Sequence, residues 1–207
     1  MMGSLFEPAA PGQWRRNAVA DHYHENLGVV SAGYQRAAEM LVEAWEAERF
    51  DPLLLPIVLL YRHGLELQLK HAITVTERAL REVGQPGRTP TELDAWFKRK
   101  AGHRLKALRD ELSRQLRDLG VQQPLDTDVS DAIDELADFD PWGETFRYTT
   151  TLEKDKATGA TQSVRNPRPG DPAKGAVVDV VALGAKLDTA INHIGDVWSH
   201  VEATYLP

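Results

Sequence analysis

DPLLLPIVLLYRHGLELQLKHAITVTERALREV, residues 51–83, decides the fold. Asp51 reads as an N-cap, and Pro52 suits the first helical position, where its missing N–H is not needed. Gly84 and the Pro86-Gly87 pair stop the run. Wound at about 100° per residue, Leu54, Val58, Tyr61, Leu65, Ala72, Val75 and Ala79 form one stripe, with Gln68 in its polar slot. Leu53, Ile57, Leu60, Gly64 and Leu67 widen the stripe on one side, and Leu55, Leu59, Leu69 and Ile73 lie on the other. A helix that is apolar nearly all round is a buried one. This segment is therefore expected at the centre of an all-helical protein.

Its exception is a narrow arc holding Arg62, His63, Glu66 and Lys70, bracketed by Leu59 and Ile73. Arg62–Glu66 and Glu66–Lys70 have the i,i+4 spacing of helical ion pairs. The arc has two readings. It is a structural network that fixes helix packing, or it lines a cleft or subunit interface where an imidazole beside a guanidinium and a carboxylate holds a shifted pKa.

Outward from this helix the chain keeps its helical character. Val30, Tyr34, Ala37, Ala38, Leu41, Ala44 and Trp45 follow a spacing of three and four within a helical region from Gln13 to about Phe50. Asn26–Gly28 is a candidate break in it. Thr91 is expected to open a third helical region that breaks near Gly102 and resumes as Arg104–Leu119, with Leu105, Leu108, Leu112, Leu116 and Leu119 in register. A short helix is expected over Thr127–Phe139. After Asp140 the character changes: Phe146–Leu152 is β-prone, Lys154–Ala160 turn-like, and Thr161–Val164 a returning strand. Residues 166–175 carry prolines and glycines and read as loop. A last helix is expected over Ala176–Tyr205. The reading is an all-α, up-and-down helical bundle in one domain, residues 13–207, preceded by a loose tail (1–12), with a short β-hairpin insertion (140–175) before the last helix.

Composition narrows the chemistry. The 207 residues contain no cysteine, which excludes disulfides, thiolate metal sites and a cysteine nucleophile. A net charge of −7 argues against indiscriminate nucleic-acid binding while leaving room for a local basic cleft. No secretory signal opens the sequence. The most apolar run, Leu53–Tyr61, is far shorter than the roughly 20 residues a bilayer needs, so a cytoplasmic protein with no membrane partner is expected.

Two further elements can meet the arc. His103 stands at the N-terminus of the leucine-rich helix, where the helix dipole disfavours the imidazolium. In Phe146-Arg147-Tyr148, strand alternation sends Arg147 to the face opposite its aromatic neighbours. These pieces, Arg62-His63-x-x-Glu66-x-x-x-Lys70, Gly102-His103-x-Leu105 and Phe146-Arg147-Tyr148, occur in an order that resembles the HEPN-like superfamily, over about Asp51–Trp198. The resemblance implies a helical bundle that often forms homodimers. It also implies RNA as substrate in metal-independent endoribonucleases of toxin–antitoxin and antiphage systems, or, in relatives without catalysis, a dimerisation or partner-binding module. Under that implication Arg62, His63, Glu66 and His103 are the candidate catalytic residues, and Lys70, Arg147 and Tyr148 the substrate-binding ones. An antitoxin or defence-system protein is the implied partner, and no metal or cofactor is needed. One departure stands out. The last long helix carries His193 and His200 but no arginine, whereas nucleases of this type place an arginine four to six residues before a histidine there. Arg16 and His22 have that spacing near the N-terminus, where it is either a displaced motif or chance.

Other constellations point to less. His193, Asp196 and His200 share a helix face away from the apolar stripe and read as solvated rather than metal-binding. Lys98-Arg99-Lys100 with Arg104, Lys106 and Arg109 is the one basic run that suits nucleic acid, although such runs are more often solvated helix faces.

Overall fold

The computed structural model describes residues 11–13, 15, 26–121, 125–147, 150–155, 159–166 and 177–206. The helices are α1 (Leu27–Glu48), α2 (Leu54–Glu82), α3 (Pro90–Trp96), α4 (Leu105–Asp118), α5 (Thr127–Phe139) and α6 (Val180–Tyr205). The strands β1 (Thr150–Lys154) and β2 (Thr161–Arg165) lie between α5 and α6. The architecture is the expected all-α bundle with a hairpin before its last helix. The tail, Arg16, His22 and Tyr148 lie outside the described residues, apart from an exposed stretch at 11–13.

The central position of α2 follows from its composition. It packs against α1, α4 and α6, and Ile57, Tyr61, Leu65, Leu69, Ala72, Ile73 and Ala79 are fully buried. Tyr61, Leu65 and Gln68 face the chain's own core, as the stripe predicts. The partners offer matching apolar stripes: Leu105, Leu108, Leu112 and Leu116 from α4, and Leu187, Ile191, Ile194 and Val201 from α6. α1 comes close because Gly64 leaves room, with Ser31 Oγ donating to the Gly64 carbonyl at 2.7 Å.

Helix ends follow local chemistry, with some corrections. Asp51 does not cap α2; it sits with Pro52 in a 3-10 turn, Asp51–Leu53, that feeds into the helix. Thr89, not Thr91, opens α3: its hydroxyl accepts from Glu92 N while the Glu92 carboxylate accepts from Thr89 N, a capping box. After α3 the chain widens into a π turn over Phe97–Ala101 and reverses at Gly102, whose φ is 57°. α6 starts at Val180 because the Asp179 carboxylate accepts from Ala182 N. β1 pairs antiparallel with β2, with Thr150 opposite Arg165 and Lys154 opposite Thr161.

The expected strand from Phe146 is corrected to Thr150. Residues 145–147 form a turn, with Arg147 N donating to the Glu144 carbonyl at 3.0 Å. The cause is Asp140, whose Oδ1 accepts from Glu144 N at 2.8 Å and Thr145 N at 3.0 Å. That pair of bonds bends the chain and directs Phe146 into the core, where it is 6% exposed.

Candidate functional site

Three elements meet at the polar arc: one face of α2, the loop ahead of α4, and the segment from Asp140 to Phe146. Arg62 lies beneath them, 1% exposed. Its Nη1 donates to Glu66 Oε2 at 2.9 Å, and its Nη2 donates to the His103 carbonyl at 2.6 Å. Its Nε lies 2.7 Å from Asp140 Oδ2, close but poorly aligned for a hydrogen bond, so the contact acts as an ion pair. Gly143, at φ 81°, lays its backbone on the guanidinium: a Cβ there would sit 3.1 Å from the Arg62 Cζ. A charge taken this far out of water persists only with opposite charges around it, and two buried carboxylates supply them.

Glu66 is the hub. It is 1% exposed, and its Oε1 accepts from Lys70 Nζ at 2.7 Å. His103 Nδ1 lies 2.9 Å from the same oxygen and 3.2 Å from Oε2. Burial pushes the Glu66 carboxyl up, but the Lys70 hydrogen bond and the charges of Lys70, His103 and Arg62 outweigh it and hold its pKa below the ordinary value. Beside an ionised Glu66, Nδ1 is the His103 ring nitrogen that donates. The His103 side chain is 53% exposed, which leaves Nε2, the ring nitrogen not engaged by Glu66, for a ligand. Lys70, 15% exposed, also stands 5.8 Å from the Phe97 ring centroid.

His63 does not join this hydrogen-bond network. Its ring packs edge-on against Tyr34 with centroids 4.5 Å apart, and its Nδ1 is buried with no hydrogen-bond partner among the described residues. Burial lowers its pKa; Glu66 pushes it up, while Arg147, Arg62 and Lys70 push it further down. His63 is therefore a neutral imidazole at pH 7, inside the field of the same charges. Arg147 is exposed on the turn after Phe146. The structure thus brings Arg62, Glu66, Lys70 and His103 together, sets His63 and Arg147 beside them, and adds Asp140. The chain's own loop seals Arg62 and Glu66.

The basic run divides. Lys98 pairs with Asp94, and Lys106 and Arg109 pair with Asp134. Arg104 bonds the carbonyls of Lys100 and Ala101. Arg99 and Lys100 are exposed and make no ion pair among the described residues. His193 stands 3.5 Å from Asp126 rather than beside His200, and among the described residues no cluster suits a metal ion. Among the same residues no helix is long and apolar enough to cross a membrane.

No protein-family model, no curated protein and no solved structure matches the chain.

Proposed function

We propose that this chain is an HEPN-like protein that acts on RNA, cutting it without a metal through the Glu66–His103 pair. One observation carries the reading: a half-exposed imidazole whose Nδ1 is held by a buried, charge-locked carboxylate. Such an arrangement fixes the tautomer and aims a free Nε2 outward, as a general base requires. The 2′-hydroxyl of the strand gives its proton to His103 Nε2 and attacks the adjacent phosphorus. The 5′-oxygen departs and takes a proton from solvent, leaving a 2′,3′-cyclic phosphate and a 5′-hydroxyl. Lys70 and Arg147 stand where they can stabilise the extra charge on phosphorus. Arg62 has a different role from the one its motif suggests. Its guanidinium is occupied by Glu66, Asp140 and the His103 carbonyl, so it positions the pair and binds no phosphate. His63, neutral and packed on Tyr34, shapes the site's wall.

A second reading has its own support. Arg62 is wholly internal, as in a structural staple, and Trp142, next to Gly143, is 64% exposed. In that reading the chain is a non-catalytic module that forms a homodimer or docks a partner such as an antitoxin, with Trp142 as an anchor. In either reading a cytoplasmic toxin–antitoxin or antiphage system is the proposed setting.

The deciding experiment incubates purified protein with labelled single-stranded RNA in EDTA, beside His103→Ala. Cleavage by the wild type and its loss in the variant support the nuclease. Intact RNA at high protein excess supports the module.

A further inference from the structure

Residues of α2, α3, the π turn and α4 line a cleft of about 640 Å³ that the catalytic reading does not use. Its size is within the range of small-molecule sites, about 300–1,000 Å³. One wall is Trp96, over which Arg88 lays its guanidinium, 4.9 Å from the ring centroid. The rim carries Arg99, Lys100 and Arg114.

The carboxylates lining this cleft are already committed. Glu77, 1% exposed, accepts from Arg88 N at 2.6 Å and from Gln115 Nε2 at 2.7 Å. Glu92 closes the capping box on Thr89. Arg88 and Arg114 share Glu111 below. Arg99 and Lys100 remain, two cations with no carboxylate partner among the described residues, on a chain whose net charge is −7. Their placement is built in: the π turn over Phe97–Ala101 carries both, and it is anchored where Gly102 N donates to the Phe97 carbonyl at 2.8 Å. π turns of this kind recur at functional sites because they re-aim side chains off the regular helix.

We propose that this cleft binds a nucleotide, with the planar base against the Trp96–Arg88 stack and the phosphate on Arg99 and Lys100. Aromatic and guanidinium planes take any base face, and a pair of free cations takes the phosphate. The ligand is either a free nucleoside phosphate or one nucleotide of a single strand; both carry the same base and phosphate. Neither Glu66 nor His103 lines the cleft, and the site does not depend on their chemistry.

The test measures binding of AMP by calorimetry and of a fluorescein-labelled eight-nucleotide RNA by anisotropy, in wild type, Arg99→Ala/Lys100→Ala and Trp96→Leu. The double variant alters exposed residues, so it keeps the proposal testable even where Trp96→Leu folds poorly. The expected loss is about tenfold for each variant, in line with alanine substitution of stacking residues. In the double variant the salt dependence of RNA binding also weakens, by about 0.7 in log–log slope for one single-strand phosphate contact. Binding of both ligands, or of one alone, supports the site and identifies its source, strand or free nucleotide. Equal affinity in wild type and both variants, no binding of either ligand, or displacement by inorganic phosphate as effective as by AMP overturns it. RNA cleavage that needs His103, in a protein whose binding of both ligands is unchanged by these variants, overturns this site while leaving the catalytic reading standing.

Discussion

Replacing Arg62 with Met tests the buried network most severely. Met keeps an unbranched apolar stem in place of the arginine's but removes the guanidinium and its charge. Glu66 retains Lys70 and His103. Asp140, 1% exposed, loses the one cation paired with it among the described residues. Breaking a buried pair by deleting one partner costs about 3–5 kcal/mol. Because one of the two carboxylates stays compensated, the low end applies, about 3 kcal/mol. At about 2–4 °C per kcal/mol for a chain of this size, Tm falls by roughly 6–12 °C. The assay is urea unfolding followed by far-ultraviolet circular dichroism, run as a double-mutant cycle with Asp140→Asn. Asn keeps an Oδ1 for the Glu144 and Thr145 amides and discards the stranded charge. The double variant is therefore expected to be more stable than the sum of the two losses predicts, with a coupling of about 0.5–3 kcal/mol. A fully additive cycle, or Arg62→Met within about 0.5 kcal/mol of wild type, the range of an ordinary surface change, refutes the reasoning.

Gly143→Ala forces a side chain into a positive-φ position already filled by the Arg62 guanidinium; it is expected to cost about 1–3 kcal/mol, read by the same urea titration. His63 and His71 both have lowered pKa values, chiefly from burial. The unfolded chain therefore binds their protons first, so stability is complete above pH 6.5 and declines as pH falls below it. Thermal melts across this window should show the decline, and His71→Phe should flatten it. Glu66 works at lower pH: its pKa is depressed, so its contribution is present above the ordinary carboxyl value of 4.5 and is lost as pH falls through its folded value. In Glu66→Gln that acid limb should shrink. Light scattering is expected to give twice the 23.1 kDa protomer mass; a species of protomer mass at micromolar concentration contradicts the homodimer.

The centre of the bundle was legible because α2 states its burial in composition alone: only a helix surrounded on all sides carries leucines, isoleucines and valines around its whole circumference. Arg62, Glu66 and Lys70 were legible for the same reason, as charges interrupting that surround at i,i+4. Asp140 was not, because it lies 78 positions from Arg62 and no local period connects them. A signal for it existed. A buried arginine demands an acid from elsewhere, and Asp140-Pro141-Trp142-Gly143 is a turn sequence with a carboxylate at its head. The strand expected from Phe146 failed through the same residue, since β-propensity yielded to the two amide bonds that Asp140 makes. The π turn that presents Arg99 and Lys100 has no sequence period of its own. Only the coordinates revealed that Arg62 is used up internally and that His103, not His63, is the histidine that bonds Glu66.

The claim that Glu66 and His103 form an RNA-cleaving pair is tested most directly by the chemistry of the ends. Single-stranded RNA is incubated with wild type and with His103→Ala in EDTA, and the products are identified by mass spectrometry. His103 is half exposed, so the variant is expected to fold normally and to cut about 10²–10⁴-fold more slowly, the range of a positioned acid–base group. The wild type should leave 2′,3′-cyclic phosphates, and a strand with a single 2′-deoxy residue should resist cleavage at that position. Products ending in 5′-phosphate, cutting at the deoxy position, or an undiminished rate in His103→Ala would contradict the account.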